Sequence, residues 1–385
     1  MSVRRSSITA YRSRHLVIAG AGLSLPNMLN RLNRSNFRGK VTICSSGFPW
    51  PYHVRDKYLR AGQSRTAILN VPADRLYAPR ERIPVGDIAR EHNRELANTV
   101  FDLKTEIELE VVESDISKVT KFGQGVGIDC FGGEQIEADH VLLNTGIGPE
   151  KDAQAAGIIV PNSAIGTRML ADEMTTGLVS LGKPVDWYKG KKIAIYGGGA
   201  LAAWVAEVAI MSGVRSIVWP ARDFGGANPG GRNSDVLELT KDHRMEAAIK
   251  TATYLGDLET GSGLGIDLEH LADAKKESYP VDILVVAVGS DPFGAGGIRS
   301  VLGGIYDELK PRTSPDGGVF ASTENNRVMV TTAPLYNNRR IAPLIRAHSF
   351  PKLESENQVT AGIAVQRMSA AGALDSLIKV EPYQT

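Results

Sequence analysis

The chain writes one unit twice, and that repeat restricts its fold more than any other feature. "HLVIAGAG" (His15–Gly22) is a short apolar run feeding two glycines. A helical stretch with apolar Leu25, Met28, Leu29 and Leu32 follows, then a second apolar run, Val41–Cys44. Much later "IAIYGGG" (Ile193–Gly199) opens the same sequence of events. It continues through the Ala-rich stretch Ala200–Met211 to the apolar run Ser216–Trp219. Both are strand–turn–helix–strand patterns, which specify parallel sheets with helices on their faces.

The closing part of each unit repeats too. "ADHVLLNTGIGPE" (Ala138–Glu150) is an apolar strand ending in Thr145-Gly146. "PVDILVVAVGSDP" (Pro280–Pro292) ends in Val288-Gly289. Hairpin-like polar sequence precedes each, "VGIDCFGGEQIEA" and, more loosely, "LGIDLEHLADAKKESYP". An acid stands just before each strand, at Asp139 and Asp282. The tail adds a strand in "NRVMVTTAPLY" and a packed helix over Gln358–Ala371. The Gly-, Pro- and Ser-rich stretch from Gly294 to Arg327 reads as loops, as does Phe224–Asp235.

Composition rules out several classes. With 42% hydrophobic and 23% charged residues, the chain is neither disordered nor membrane-like. A formal net charge of +1 offers no basic field for nucleic acid. No run of about eighteen apolar residues suggests a membrane span. Cys44 and Cys130 are far apart, which supports no disulfide framework, zinc site or local redox dithiol. They read as reduced, partly buried thiols of a cytoplasmic protein. Met1–Arg14, rich in Arg and Ser and free of acids, shares its composition with transit peptides but reads as a flexible extension.

Two such glycine units, each closed by a strand ending in x-Gly and followed by a tail strand and helix, resemble the two-dinucleotide-binding-domain flavoproteins. That family includes pyridine nucleotide-disulfide, thioredoxin, ferredoxin and rubredoxin reductases. The resemblance covers about Arg14–Leu374. "PWPYHVRDKYLRAG" (Pro49–Gly62) is similar to the segment that places a lysine, here Lys57, beside the flavin in ferredoxin and rubredoxin reductases. The resemblance implies an α/β fold of two Rossmann-like domains, the second inserted in the first. Residues 15–155 and 300–385 would form the FAD-type domain and 156–299 the NAD(P)-type domain.

The glycines have a physical task. They allow a tight turn and bring backbone N–H groups to a pyrophosphate at a helix N-terminus. Gly20 and Gly22 meet it in the first unit, with Leu25 at the third position, where glycine normally lets helix and strand pack closely. Gly197, Gly199 and Ala202 meet it in the second. An acid after the second strand of such a unit normally holds the ribose. Cys44–Gly47 has none, leaving Ser45 or Ser46 to hydrogen-bond instead. In the second unit Arg222 stands there, suited to the 2′-phosphate of NADP or simply solvated. Thr145-Gly146 and Gly289 end strands that face the cofactors.

From the resemblance, Lys57 and the helix start at Gln358 would approach the flavin. The family pairs that lysine with a glutamate, where this chain has Trp204, a gate to the ring or a core aromatic. The family's Gly-Asp at the end of the tail strand is replaced by Thr331-Thr332-Ala333-Pro334. Among scattered histidines, His348 in a basic stretch is the candidate acid–base group. Catalytic candidates are therefore Lys57, His348 and Trp204. The expected function is an FAD-dependent, NADPH-linked dehydrogenase or monooxygenase of a small molecule. The alternative is a flavin-free NADP(H)-binding protein of the same fold, with a non-redox or regulatory role. Beyond its substrate, the one partner expected is a second copy of the chain.

Overall fold

The computed structural model describes residues 14–22, 24–46, 58–60, 82–146, 168–170, 189–198, 202, 205–206, 209–210, 213–221, 243–255, 264–270, 273, 275–287, 297–335, 340–344, 347–348 and 358–378.

The first repeat builds a seven-stranded sheet around β1 (Arg14–Ala19). Leu16, Val17, Ile18 and Ala19 are all buried, because a central parallel strand is covered on both faces. On one side β1 pairs in parallel with β2 (Gly39–Cys44), which in turn pairs with β5 (Ile107–Val112). On the other side lie β9 (His140–Leu143) and β19 (Val328–Val330), also parallel. Two antiparallel strands, β18 (Val319–Ser322) and β17 (Lys310–Thr313), close that edge. A separate short pair joins β3 (Tyr58–Arg60) to β4 (Arg82–Pro84).

Helices and a small sheet cover the two faces. Helix α1 (Leu25–Asn33) presents Leu25, Met28, Leu29 and Leu32, the i, i+3, i+4, i+7 set, to the sheet. Each is fully buried, contributing about 1.5–3 kcal/mol by transfer from water. The same cluster takes Leu96 of α2 (Val85–Phe101) and Ala370, Ala373 and Leu374 near the chain's end. The opposite face is covered by an antiparallel meander, β6 (Ile116–Phe122), β7 (Gly125–Cys130) and β8 (Gln135–Ala138).

The second repeat builds its own seven-stranded sheet. Its order is β10 (Arg168–Leu170), β16 (Ile283–Val286), β11 (Lys192–Tyr196), β12 (Ser216–Ala221), β13 (Arg244–Leu255), β14 (Leu264–His270), β15 (Lys276–Val281). The first five run parallel and the last two form an antiparallel meander on β13. The two acids singled out in the sequence do one job in both units. The Asp139 carboxylate accepts from the His15 N–H (2.9 Å), and Asp282 accepts from the Lys192 N–H (2.7 Å). Each fixes the start of its unit's first strand.

One expectation is overturned. The stretch from Gly294 to Arg327 is not only loop: it holds α3 (Ile298–Leu302), α4 (Ile305–Glu308), β17 and β18. Its glycines cap rather than dissolve these elements. Ile298, Val301, Leu302 and Ile305 are buried against the β6–β8 meander, and Val319–Ala321 are buried as a sheet strand. The tail helix, α5 (Gln358–Asp375), forms as expected and runs one turn further.

Candidate dinucleotide sites

The first glycine loop leaves β1 at the carboxyl end of its parallel strands, where ligands of such sheets bind. Gly20 has φ +101° and donates its N–H to the Cys44 carbonyl (2.8 Å). A β-carbon there would stand 2.4 Å from the Asn144 carbonyl oxygen, so only glycine fits. Gly22, two residues on, and Gly146 (φ +75°) in the loop after β9 differ. Where each would carry a β-carbon there is open space. Two adjoining loops thus present bare backbone at one end of the sheet, a surface shaped for close approach of a phosphate-bearing group.

Asn144 binds this end together. Ser24 occupies the N-cap of α1 without capping it; its hydroxyl instead donates to the Asn144 Oδ1 (3.0 Å). The Thr331 hydroxyl reaches the same oxygen (3.3 Å), linking glycine loop, β9 and tail. Leu25, the bulky residue at the third glycine position, is a core side chain packed with Met28 and Leu29.

An acid does stand beside the end of β2 in space. Ser45 is buried, and its N–H donates to the Val112 carbonyl (3.0 Å). Ser46 donates its N–H to one oxygen of Asp115 (3.1 Å) and its hydroxyl to the other (2.6 Å). Asp115 follows β5, 69 residues away, and its side chain is exposed. It had not been singled out in the sequence; the cue would have been that β5 neighbours β2 in this strand order.

The tail contact is closed. Thr331 and Thr332 are fully buried. Thr332 donates its N–H to the Ser369 hydroxyl (2.9 Å), and both hydroxyls, Thr332 and Ser369, donate to the Val319 carbonyl (2.5 and 2.6 Å). These groups pin α5 to β18 and spend their donors inside the protein.

In the second unit Gly197 (φ +126°) donates its N–H to the Pro220 carbonyl (3.0 Å), as Gly20 does to Cys44. Its own carbonyl accepts the indole N–H of Trp219 (2.7 Å), a fully buried residue that the sequence had shown only as part of a strand. Ala202 is buried with Val205, Ala206 and Ala209, where its small side chain lets the helix approach the sheet.

The structure brings Gly20, Gly22, Ser45, Ser46, Thr145 and Gly146 to one end of the first sheet, and Gly197 and Ala202 to the matching end of the second. Gln358 opens α5, and His348 is exposed. Lys57, Gly199, Trp204, Arg222 and Gly289 lie outside the described residues. The cysteines, distant in sequence, lie in one buried core cluster, and both are free. Burial pushes both thiols up from their ordinary value. Among the described residues there is no His, Cys, Asp and Glu cluster able to hold a metal, and no helix long and apolar enough to cross a membrane.

No family model and no curated protein matches the sequence. Solved structures do match. Thioredoxin reductase of T. acidophilum superposes with a TM-score of 0.58 at 13% identity, covering 94% of this chain and 99% of that one. An ornithine N-hydroxylase of Kutzneria sp. 744, in a structure with reduced FAD, NADP+ and L-ornithine, gives 0.55 at 10%, covering 95% and 99%. A flavin monooxygenase from Stenotrophomonas maltophilia gives 0.53 at 15%, covering 91% and 98%. The chain has the two-dinucleotide-binding-domain fold that these proteins share.

Proposed function

We propose that this protein is an FAD-dependent, NADPH-linked oxidoreductase acting on a small molecule. The observation that carries the reading is the bare-backbone cradle at Gly22 and Gly146, at the carboxyl end of the first sheet. The fold likeness to FAD- and NADP-bearing neighbours supports it. Bound FAD would supply the redox chemistry. The backbone at Gly20–Gly22 would hold its pyrophosphate, and the Asp115–Ser46 pair would meet its ribose in place of the missing acid. Gly197 and Ala202, with Gly199 and Arg222, would hold NADPH. Lys57, Trp204 and His348 are assigned to the flavin and substrate side, without a disulfide-reducing cysteine pair. A small-molecule substrate, a homodimer and a cytoplasmic setting complete the assignment.

One observation favours a second reading. Thr331 and Thr332 spend their hydrogen-bond donors inside the protein, so these two residues offer FAD no free donor. The second reading keeps the NADP(H) site and drops the flavin. The visible spectrum of the purified, desalted protein separates the two. Flavin absorbance that persists, or returns on adding FAD, supports the oxidoreductase. A colourless protein that FAD cannot reconstitute, yet still binds NADPH, overturns it in favour of the second reading.

A further inference from the structure

The opposite end of the first sheet carries a cavity of its own, of about 470 Å³. It lies at the amino ends of β1, β9 and β19, away from the glycine loops. Arg14, Asp139, His140, Asn326, Arg327 and Ser376 are among the residues that line it. Two arginines line it, each tied to the backbone by one hydrogen bond. Arg14 Nη1 donates to the Leu377 carbonyl (3.0 Å), and Arg327 Nη1 donates to the Gly123 carbonyl (2.6 Å). Each is oriented through one nitrogen by a neutral backbone oxygen, and the Asp139 carboxylate lines the same cavity. Among the described residues neither arginine makes an ion pair.

The third basic side chain is pushed toward its neutral form. His140 Nδ1 donates to the carbonyl of Asn326 (3.1 Å), a residue in the left-handed region at φ +55°. Burial, and more weakly the two arginines, lower the His140 pKa against the opposing pull of the Asn326 carbonyl and Asp139. The Asp139 carboxylate gives one oxygen to the His15 N–H.

We propose that this cavity is a binding site for a small, multiply charged oxyanion, a phosphate ester or a polycarboxylate bearing a hydroxyl. The arginine donors would take the anionic head, because planar forks with fixed geometry bind oxyanions through paired hydrogen bonds. Asp139 and the neutral His140 would accept from the hydroxyl. Ligands of parallel sheets bind at the carboxyl ends, so this site is separate from the dinucleotide sites and stands whether or not FAD binds.

The test is calorimetric titration of the full-length protein with inorganic pyrophosphate and, separately, citrate, at low salt. Each is compared with an Arg14→Gln/Arg327→Gln variant. The glycine loops are intact in that variant, so pyrophosphate bound there is common to both proteins. The expected result is at least a tenfold loss of affinity in the variant for whichever anion binds. Preference between the two anions identifies the head group. Equal affinity in both proteins, or no binding of either anion to the wild type, overturns the proposal.

Because Arg14 also ties the Leu377 carbonyl, a second measurement uses the unmodified chain. Histidine proton resonances are followed against pH, with His140 assigned by its loss in His140→Gln. Anion binding offsets the two arginine charges, so the His140 midpoint rises when the anion is added. An unmoved midpoint overturns the proposal even if the variant fails to fold.

Discussion

The two units share one backbone frame and differ in what side chains have been fitted to it. In each, the first glycine donates to a carbonyl in the last two residues of the second strand: Gly20 to Cys44, Gly197 to Pro220. The strand that closes each unit returns a bond to the first, Asn144 N–H to the Ala19 carbonyl and Ala287 N–H to the Tyr196 carbonyl, both at 2.8 Å. An acid fixes each first strand at its start. On this common frame the first loop is braced by Ser24, Asn144 and Thr331, while among the described residues the second is braced by a buried indole. The frame comes from backbone geometry that any such unit must satisfy. The bracing comes from neighbouring strands, and there the two units are free to diverge.

The strongest way to break the comparison is to strain one frame. Gly20→Ala forces a β-carbon against the Asn144 carbonyl at a left-handed φ, and is expected to cost about 3 kcal/mol of stability. Gly22→Ala meets open space and should leave the unfolding midpoint in urea nearly unchanged. Its methyl group would instead enter the cofactor groove and weaken FAD binding. If both variants lose the same stability, Gly22 does not border an open cradle.

A smaller effect is expected from the brace of the second unit. Trp219→Phe removes the indole N–H and leaves the half-buried Gly197 carbonyl without that donor, which costs about 1 kcal/mol. Loss of that tether should raise the Kd for NADPH and leave FAD binding alone. A variant that binds NADPH as tightly as the wild type would show that Trp219 is core packing and that the loop holds its shape unaided.

What could be read from the sequence follows the same division. The apolar runs, the paired glycines and the acids before the closing strands are local signals, and they specified both parallel sheets. Asp115 was invisible because its meaning depends on β5 lying beside β2, which brings it to Ser46 across 69 residues. Trp219 read as strand filler because a sequence does not show which way an indole points. Cys44 and Cys130 looked unrelated until the β6–β8 meander folded over the sheet. The Gly294–Arg327 stretch looked like loop because seven glycines, with prolines and serines, interrupt its apolar residues. Yet Ile298, Val301, Leu302 and Ile305 suffice to bury two short helices.

Asp115 also supports the mildest prediction, and the most informative about the first unit. Its side chain is exposed, so Asp115→Ala should change stability by less than about 0.5 kcal/mol. Its effect should fall on the cofactor. With both bonds to Ser46 removed, the Kd for FAD, followed by quenching of flavin fluorescence, is expected to rise about tenfold, the size of one charged hydrogen bond. NADPH binding should not move. Ser46→Ala separates two roles for the carboxylate. If Asp115 only positions the serine hydroxyl, the two variants lose FAD affinity equally. If the carboxylate itself meets the ribose, Ser46→Ala is the milder of the two, since the acid remains. In that case an acid carried by β5's following turn does in the first unit what the residue after β2 does in most such loops, and the unit's apparent loss of equipment is a change of its source.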